Sequence, residues 1–304
     1  MNTSAMLKKP VKKRFILTNN WIGYLFVAPL ILGLLVFHLY PVIRSFMMSL
    51  ENTNGVTGTF IGFDNYRWIL RDSMFWSSIY NTVYMAVLSL IFNVALSFLL
   101  AAMINSIAKA RGVFKSIFFI PNVVSVIATS ILFTFLFYPT KAGVVNSILT
   151  MLGIQPVEWF SGISTSRLTV CIMGAWRMIG YYIIIFMAGL QSVSKEMYEA
   201  ADVDGVNEYQ RLMHITIPSI RPIFAFVIIM DTIASMRRFS DVYMVGGTSG
   251  SPGGTLVTTV MYIYRNAFTG TQMGVASAAA FVLFLIILLL SYLNITFVNR
   301  PNDR

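Results

Sequence analysis

Charged side chains inside long apolar runs are the residues of this 304-residue chain best placed to do chemistry. Arg177 lies in one run, and Asp231, Arg237, Arg238 and Asp241 lie in or beside another. A charge within a membrane span is costly unless it is paired or faces water. The charges could neutralise each other, with Arg238 paired to Asp241 and Arg177 paired across helices. Alternatively, they line a path for a polar solute.

The arrangement expected on a continuous helix supports both interpretations. At about 100° per residue, Asp231, Ser235 and Arg238 share one face, whereas Arg237 points away. Asp231 is therefore the carboxyl group available to pair with Arg177 or to contact a solute. Aromatic residues of the same two runs offer ring faces and hydroxyl groups suited to sugar rings, and they are Trp176, Tyr181, Tyr182 and Tyr243.

A short polar segment between two apolar runs carries five carboxylates within Glu196–Glu208. Ser194 is a suitable N-cap for a first helix, and the first carboxylate would complement the helix dipole. Gly205 can adopt the left-handed conformation that ends such a helix. The sequence NEYQRLMHIT then predicts a second short helix that ends near Pro218. Two small side chains in the first helix would leave its backbone approachable, as is typical of a docking helix.

The composition explains the setting of both features. The chain is 57% hydrophobic and 11% charged, far outside the range of soluble globular proteins. Runs of about 20 apolar residues can cross a membrane as helices, and no alternation typical of a membrane barrel is present. We therefore expect an all-α integral membrane protein with six transmembrane helices, at 21–43, 78–104, 117–138, 168–190, 222–245 and 275–297.

The distribution of Lys and Arg predicts the orientation of these spans. With the amino terminus inside, thirteen of these residues fall in cytoplasmic segments and six fall outside. We therefore expect a basic cytoplasmic segment at 1–20, a transmembrane domain at 21–298 and a cytoplasmic tail at 299–304, with both termini in the cytoplasm. The net charge of +10 is then explained by topology and anionic lipid, without nucleic acid as a partner.

Several kinds of chemistry lack their sequence signals. The chain has no G-x-x-x-x-G-K-[ST] phosphate-binding loop, so ATP must be handled by another protein. His38 and His214 are far apart in sequence and have no neighbouring cluster of metal-ligating residues, so no metal site is predicted. The single cysteine, Cys171, cannot form an intrachain disulfide. The sequence shows no cluster of a nucleophile and a base that would indicate an enzyme. We also expect no cofactor bound by this chain.

The polar segment carries a recognisable motif. Glu199-Ala200-Ala201, followed by Gly205 and by Ile215-Thr216-Ile217-Pro218, resembles the EAA loop of binding-protein-dependent ABC importer permeases, with Ile217 where Leu is more usual. The resemblance covers about residues 20–298. Within the family, the sequence is similar to the carbohydrate-importing branch, the maltose and glycerol-phosphate type. Its other matching stretches are FIGFDNYRWIL, NTVYMAVLSL, FFIPNVVSVIATSILFTFLF and GGTLVTTVMYIYRNAF.

This resemblance implies a function and a set of partners. It implies a type I ABC importer permease fold in a bacterial cell membrane, moving a sugar, in particular an oligosaccharide, by alternating access. The expected partners are a second homologous permease, two ATPase subunits that use ATP and Mg, an extracellular solute-binding protein and the lipid bilayer. The segment 194–222 would be the coupling loop, with ATPase-coupling residues Tyr198, Glu199, Ala200, Ala201, Asp202, Gly205, Ile215, Ile217 and Pro218.

Two questions stay open at this point. An ion-coupled secondary transporter would use an intramembrane acid such as Asp231, and its uptake would collapse with the ion gradient rather than with ATP. The charge of the sugar is also open. If Arg177, Arg237 or Arg238 faced the path unpaired, an acidic, uronate-containing oligosaccharide would be favoured, since guanidinium and carboxylate groups match geometrically. If Asp231 and Asp241 cancelled those charges, a neutral oligosaccharide would be favoured.

Overall fold

The computed structural model describes residues 20–107 and 110–298. The described residues up to Met47 form one compact unit, and those from Met48 onward form a second. The predicted coupling loop at 194–222 lies within the second unit. The predicted basic segment at 1–20, apart from Asn20, and the predicted tail at 299–304 lie outside the described residues.

Helices make up most of the described chain, as the apolar runs predict. The α-helices, numbered in chain order, are α1 Asn20–Leu34, α2 Tyr40–Ser49, α3 Asp64–Arg71, α4 Ser73–Ser106, α5 Arg111–Val123, α6 Val126–Leu136, α7 Val144–Met151, α8 Ser166–Ser192, α9 Lys195–Val203, α10 Glu208–Arg211, α11 Ile217–Ser219, α12 Arg221–Met236, α13 Ser240–Gly246, α14 Thr259–Tyr264 and α15 Met273–Val298. Three π-helical turns are inserted at Leu35–Leu39, Leu212–Thr216 and Arg265–Thr269.

A small antiparallel sheet precedes α3. Strand β1, Glu51–Thr53, pairs with β2, Gly58–Phe60, so that Asn52 lies opposite Thr59. The side chain of Asn65 in α3 donates hydrogen bonds to two backbone carbonyls, of Ser49 at 2.9 Å and of Glu51 at 2.8 Å. These bonds hold the sheet and α3 against the end of α2.

Within the described residues, four helical stretches are long and apolar enough to cross a membrane, and two bent helix pairs raise the number to as many as six. The straight stretches are Gly23–Ser49, Ser73–Ser106, Ser166–Ser192 and Met273–Thr296. The all-helical membrane class is thus confirmed. The number of six spans holds if each bent pair forms one span.

The predicted third span, 117–138, is not one straight helix. Helices α5 and α6 meet at an angle of 99° across Val124, which has extended backbone, and Ser125. Pro121 lies in the last turn of α5, where its missing N–H and its ring disfavour the preceding turn, so the helix is locally weakened close to its end.

The predicted fifth span, 222–245, is also interrupted. Helix α12 ends at Met236 and α13 starts at Ser240, so Arg237–Phe239 is not helical. The assumption of a continuous helix from Asp231 to Asp241 was therefore wrong. A second bend, of 69°, separates the stretch Glu208–Ser219 from α12.

The helices of the second unit pack around α8. Helices α4, α5 and α12 all contact α8. At the α5 contact, a Cβ atom added to Gly180 would lie 1.8 Å from the carbonyl oxygen of Phe118, so the two backbones meet where only glycine fits. Phe98, Phe186 and Phe224 join α4, α8 and α12 through ring centroids 4.8–5.6 Å apart. This core fixes the three helices that carry the polar groups described next.

Candidate functional site

A polar cavity of about 220 Å³ lies where both interrupted spans break. Its walls include Val126, the first residue of α6, and Ser240 and Asp241, the first two residues of α13. The remaining lining residues come from α4, α8, α12 and the break after α12, and they are Asn93, Gly174, Arg177, Met178, Asp231, Ala234, Ser235 and Arg238.

One carboxyl oxygen of Asp231 accepts hydrogen bonds from neighbouring side chains, and the other has no partner. The side chain is 1% exposed. Its Oδ1 accepts a hydrogen bond from Asn93 Nδ2 at 2.7 Å and another from Tyr182 Oη at 3.1 Å. Its Oδ2 is buried and has no partner, and neither has Asn93 Oδ1. Buried polar atoms are nearly always hydrogen-bonded, so these two buried acceptors are exceptions that set Asn93 and Asp231 apart.

Arg238 is held by three protein groups. Its guanidinium lies 3.3 Å from the Asp241 carboxylate, as the neutralisation hypothesis predicts. It also donates hydrogen bonds to Ser89 Oγ at 2.9 Å and to the carbonyl oxygen of Val170 at 3.3 Å. A Cβ atom on Gly174 would lie 3.0 Å from Arg238 Nη2, so a small residue there makes room for the guanidinium.

Arg177 does not pair with Asp231, so this part of the neutralisation hypothesis was wrong. No ion pair joins them among the contacts of the described residues, although both line the cavity. Arg177 Nε is buried and has no hydrogen-bond partner. Three residues that line the cavity, Asn93, Arg177 and Asp231, thus each carry a buried side-chain atom without a hydrogen-bond partner.

Four of the ten predicted pathway residues lie away from this cavity. Trp176 is partly exposed and packs on Phe133, with centroids 5.4 Å apart. Tyr181 contacts Tyr182 edge to face, and Arg237 is exposed. Tyr243 stacks on the ring of Phe239, 5.3 Å away. The positions that do line the cavity or bond to it are Arg177, Tyr182, Asp231, Ser235, Arg238 and Asp241.

Sequence reasoning missed Asn93, Ser89 and Gly174. Asn93 and Ser89 are buried polar residues of α4, in the second predicted span. A polar side chain inside an apolar run was the available signal, because such a group must find a partner in the bundle or face a cavity. Gly174 gave no such signal, since its role depends on where the Arg238 side chain lies.

The predicted coupling loop forms two capped helices. Ser194 Oγ accepts a hydrogen bond from Glu196 N at 3.2 Å at the start of α9, and Gly205 has the predicted left-handed conformation, with φ +73°. The next helix begins at a capping box, in which Asn207 and Gln210 exchange side-chain to backbone hydrogen bonds of 2.9 and 3.2 Å. Each helix end is therefore fixed by local bonds.

Arg211 links the two helices of this segment. Its guanidinium forms ion pairs with Glu208 and, at 3.0 Å, with Asp202, and it lies 5.6 Å from the ring centroid of Tyr198. Tyr198 Oη in turn lies 3.0 Å from Thr216 Oγ1. The hydrogen bond with Glu208 raises the pKa of Arg211, so its charge persists at any physiological pH. Arg211 was missed because two of its partners, Asp202 and Tyr198, lie on the other helix.

The motif residues differ in exposure. Glu199, Ala200, Asp202, Gly205 and Pro218 are exposed. The side chain of Ala201 is buried, and Tyr198, Ile215 and Ile217 are partly buried. The segment therefore presents an acidic surface that includes the small residue Ala200 and also exposes apolar side chains such as Val203 and Tyr209.

Metal binding finds no support in the described part of the chain, where no three His, Cys, Asp or Glu side chains are grouped as ligands. His214 instead hydrogen-bonds through Nδ1 to the carbonyl oxygen of Gln210 at 3.1 Å.

The family comparison completes this description. Residues 93–300 match the model of the binding-protein-dependent transport system inner membrane component. The chain belongs to this family. It is therefore a multi-pass permease of the inner membrane and a subunit of an ABC importer, as the EAA-type motif predicted. Membership of this family gives no support to an ion-coupled secondary transporter.

Relatives cover nearly the whole permease. It is 36% identical to the arabinooligosaccharides transport system permease protein AraP of Bacillus subtilis, over 90% of this chain and 87% of the relative. It is 35% identical to the lactose transport system permease protein LacF of Rhizobium radiobacter, over 92% and 94%. A chain of a bacterial alginate ABC transporter, solved in complex with an alginate pentasaccharide-bound periplasmic protein, matches with TM-score 0.76 and 25% identity over 90% and 93%. The predicted type I importer fold is confirmed.

Proposed function

We propose that this permease carries an oligosaccharide into the cytoplasm and that the cavity at the helix breaks forms part of its path. The observation that carries the proposal is that Asn93, Arg177 and Asp231, three polar residues with unpaired side-chain atoms, line one cavity. Transporter sites are commonly formed where membrane helices are interrupted, because freed backbone and side-chain groups can then face the substrate. The similarity to permeases named for arabinooligosaccharides and lactose supports a sugar.

The segment from Ser194 to Pro218 would couple this movement to ATP. Its acids and Ala200 are exposed, and its two helices are linked by the ion pairs of Arg211, as a segment that transmits a movement would require. Separate ATPase subunits would bind ATP and Mg and receive the segment in a cleft. Tyr198, Asp202 and Glu199 would contact the ATPase subunit or hold the segment in its docking conformation.

The complete importer would contain further partners. We infer a second, homologous permease that completes the path, two ATPase subunits on the cytoplasmic side and an extracellular solute-binding protein that delivers the sugar. The termini of the chain would lie in the cytoplasm with the coupling segment. The periplasmic protein bound to the alginate transporter is consistent with such an assembly.

Reconstitution of the purified complex into liposomes tests this proposal. Uptake of oligosaccharides from arabinan, galactan and starch digests would be measured with and without ATP and Mg on the side of the membrane that the ATPase subunits face. We expect uptake to stop when ATP is withheld and to persist when ionophores remove ion gradients. Uptake that follows the ion gradient and ignores ATP would show that the proposal is wrong.

A further inference from the structure

We propose that a row of four aromatic rings guides the sugar chain to the cavity from the end of the bundle opposite the coupling segment. The rings are those of Phe239, Tyr243, Tyr264 and Phe268, and we call them the aromatic track. The inference rests on the proposed function, in which the cavity lies on the path. It gives a role to Tyr243, which was predicted as a pathway residue but does not line the cavity.

The four rings form a connected row. The rings of Tyr243 and Tyr264 both contact that of Phe239, with centroids 5.3 and 5.1 Å away. Tyr243 and Tyr264 also contact each other at 5.6 Å. Phe268 extends the row, with its centroid 5.1 Å from that of Tyr264. Because neighbouring rings touch, a sugar ring can leave one of them while it is already in contact with the next.

The row connects the cavity with the end of the bundle where α4 begins. Phe239 directly precedes the two residues of α13 that line the cavity. Helix α14, which carries the next ring, is fixed at the start of α4, because the hydroxyl of Tyr262 donates a hydrogen bond to Asp72 at 2.7 Å. The coupling segment lies at the other end of α4, where Ser106 and Arg211 line one groove. The track is therefore on the side from which an imported sugar would arrive.

The rings are held in place and still have surface available to a ligand. Phe239 and Tyr243 pack against a buried cluster that includes Phe75 and Tyr262. Even so, both rings are partly exposed, as is Tyr264, and Phe268 is 66% exposed. The track is thus a fixed surface with accessible aromatic area.

A nearby charge indicates that this surface faces water and not lipid. Arg237 precedes Phe239 by two residues and is exposed. The next residue, Arg238, donates a hydrogen bond to Ser89, near the middle of α4, so this part of the chain lies deep within the span. An exposed arginine at that depth is costly against lipid but not against a water-filled path.

Aromatic rings suit a sugar that must move along them. The face of an aromatic ring carries partial negative charge, so it attracts the C–H groups on the apolar side of a sugar ring. Each such contact is weak, and it does not depend on a particular arrangement of hydroxyl groups. An oligosaccharide touches more of the track as its length increases. The contribution of the track to uptake should therefore rise with the length of the sugar chain.

Cysteine labelling tests whether the track faces water. Tyr243→Cys and Tyr264→Cys would be made in cells that carry the complete importer, and a membrane-impermeant maleimide would be added during uptake. The unmodified permease is the blank, because its single cysteine, Cys171, is buried. Phe284→Cys is the control for a lipid-facing position, since Phe284 is an exposed aromatic residue of the apolar helix α15. We expect both track variants to react and the control to remain unlabelled. Track cysteines that react no more than the control would overturn the inference.

Uptake tests whether the rings contact the sugar. Arabinan, galactan and starch digests would be separated by length, and uptake of the longest oligosaccharide that the unmodified permease carries would be divided by uptake of the disaccharide. We expect Tyr264→Leu to lower this ratio about threefold, and Tyr264→Phe and Phe284→Leu to leave it unchanged. Poor folding would reduce uptake of both lengths alike, so an unchanged ratio in Tyr264→Leu would overturn the inference. Uptake by the unmodified permease that persists without ATP would instead contradict the proposed function.

Discussion

The coupling segment and the intramembrane cavity treat their polar groups in opposite ways. In the segment, Arg211 joins Asp202, Glu208 and Tyr198, and the helix ends are capped by Ser194 and Asn207. Among the residues that line the cavity, Asn93, Arg177 and Asp231 each have a buried side-chain atom without a partner. Satisfied hydrogen bonds favour the rigid segment that the proposed coupling role requires, whereas buried polar atoms without a partner carry a free-energy cost that a partner group would relieve.

The two regions also differ in how far apart in sequence their bonded residues lie. Every bond that shapes the coupling segment joins residues within 18 positions of each other. Asn93 and Asp231 are 138 positions apart, and Ser89 and Arg238 are 149 apart. The segment can therefore form its shape locally, but the cavity exists only after α4, α8 and α12 have packed. Substitutions should accordingly affect different measurements in the two regions.

The largest effect is expected from breaking the shape of the coupling segment with Gly205→Pro. Gly205 has φ +73° and its N–H donates to the carbonyl oxygen of Asp202 at 3.2 Å. Proline fixes φ near −65° and has no N–H, so it can satisfy neither requirement. We expect uptake to fall below detection while the protein still accumulates in the membrane, measured by transport assay and quantitative immunoblot.

Gly153→Pro is the matched control for that substitution. Gly153 also has positive φ, +77°, and its N–H donates to the carbonyl oxygen of Thr150 at 3.0 Å, but it follows α7 in a different loop. We expect Gly153→Pro to retain most of its uptake. If Gly205→Pro transported normally, or if both variants lost uptake equally, the coupling role of the segment would be contradicted.

A smaller but still large effect is expected in the cavity from Arg177→Gln. Its Nε is the unpaired donor among the residues that line the cavity in the described structure. Loss of a charge-assisted hydrogen bond to a substrate costs about 1.5–3 kcal/mol, or roughly tenfold or more in affinity. We expect a rise in the substrate concentration for half-maximal uptake, with normal copurification of the ATPase.

Arg237→Gln serves as its control, because Arg237 is an exposed arginine that does not line the cavity. We expect uptake by this variant to stay near that of the unmodified permease. Equal loss of uptake in the two variants, with poor membrane accumulation of both, would mean that the arginines are structural and that the cavity is not on the path.

The sequence was informative where the role of a residue depends on residues close to it in the chain. Ser194 and Gly205 were predicted as the ends of a helix, and both have that role. The Asn207 capping box was equally visible in the spacing of Asn and Gln, although the prediction placed only a helix there. The EAA-type motif led to the family, because its spacing reflects the same local structure.

The cavity was predictable only in part. The charges at Asp231 and Arg238 stood out in an apolar run, but the assumed ideal helix ends between them, at Met236. The bend after α5 has a sequence signal in Pro121, whereas Arg237–Phe239 contains neither Gly nor Pro. There the Arg238 side chain is held by groups on α4, α8 and α13, which only the packed bundle brings together.

Loosening the brace within the coupling segment should have a moderate effect. Arg211→Gln removes both ion pairs and the contact with the Tyr198 ring, but leaves the capping bonds intact. Partly exposed ion pairs contribute about 0–1 kcal/mol each, so the segment should remain folded. We expect uptake to fall roughly three- to fivefold. The amount of sugar taken up per ATP hydrolysed should fall more than the amount of ATPase that copurifies with the permease.

Lys195→Gln is the appropriate control for Arg211→Gln. Lys195 is an exposed cation at the start of α9, and its loss changes the net charge of the segment by the same amount. We expect uptake per ATP hydrolysed to be unchanged in this variant. A similar reduction in both variants would attribute the effect to charge alone and would argue against a mechanical brace.

The smallest effect is expected from Tyr198→Phe, which removes one hydroxyl group and keeps the ring beneath Arg211. The Tyr198 hydroxyl lies 3.0 Å from Thr216 Oγ1 and connects α9 with the turn that leads to α12. A single hydrogen bond of this kind contributes about 1 kcal/mol, and Thr216 Oγ1 keeps its own bond to the carbonyl oxygen of Arg211. We expect uptake to fall by about twofold, and Tyr209→Phe, at an exposed tyrosine of the same segment, to cause no change. A loss as large as that of Arg211→Gln would show that the hydroxyl bond, rather than the guanidinium, is the main link between the two helices.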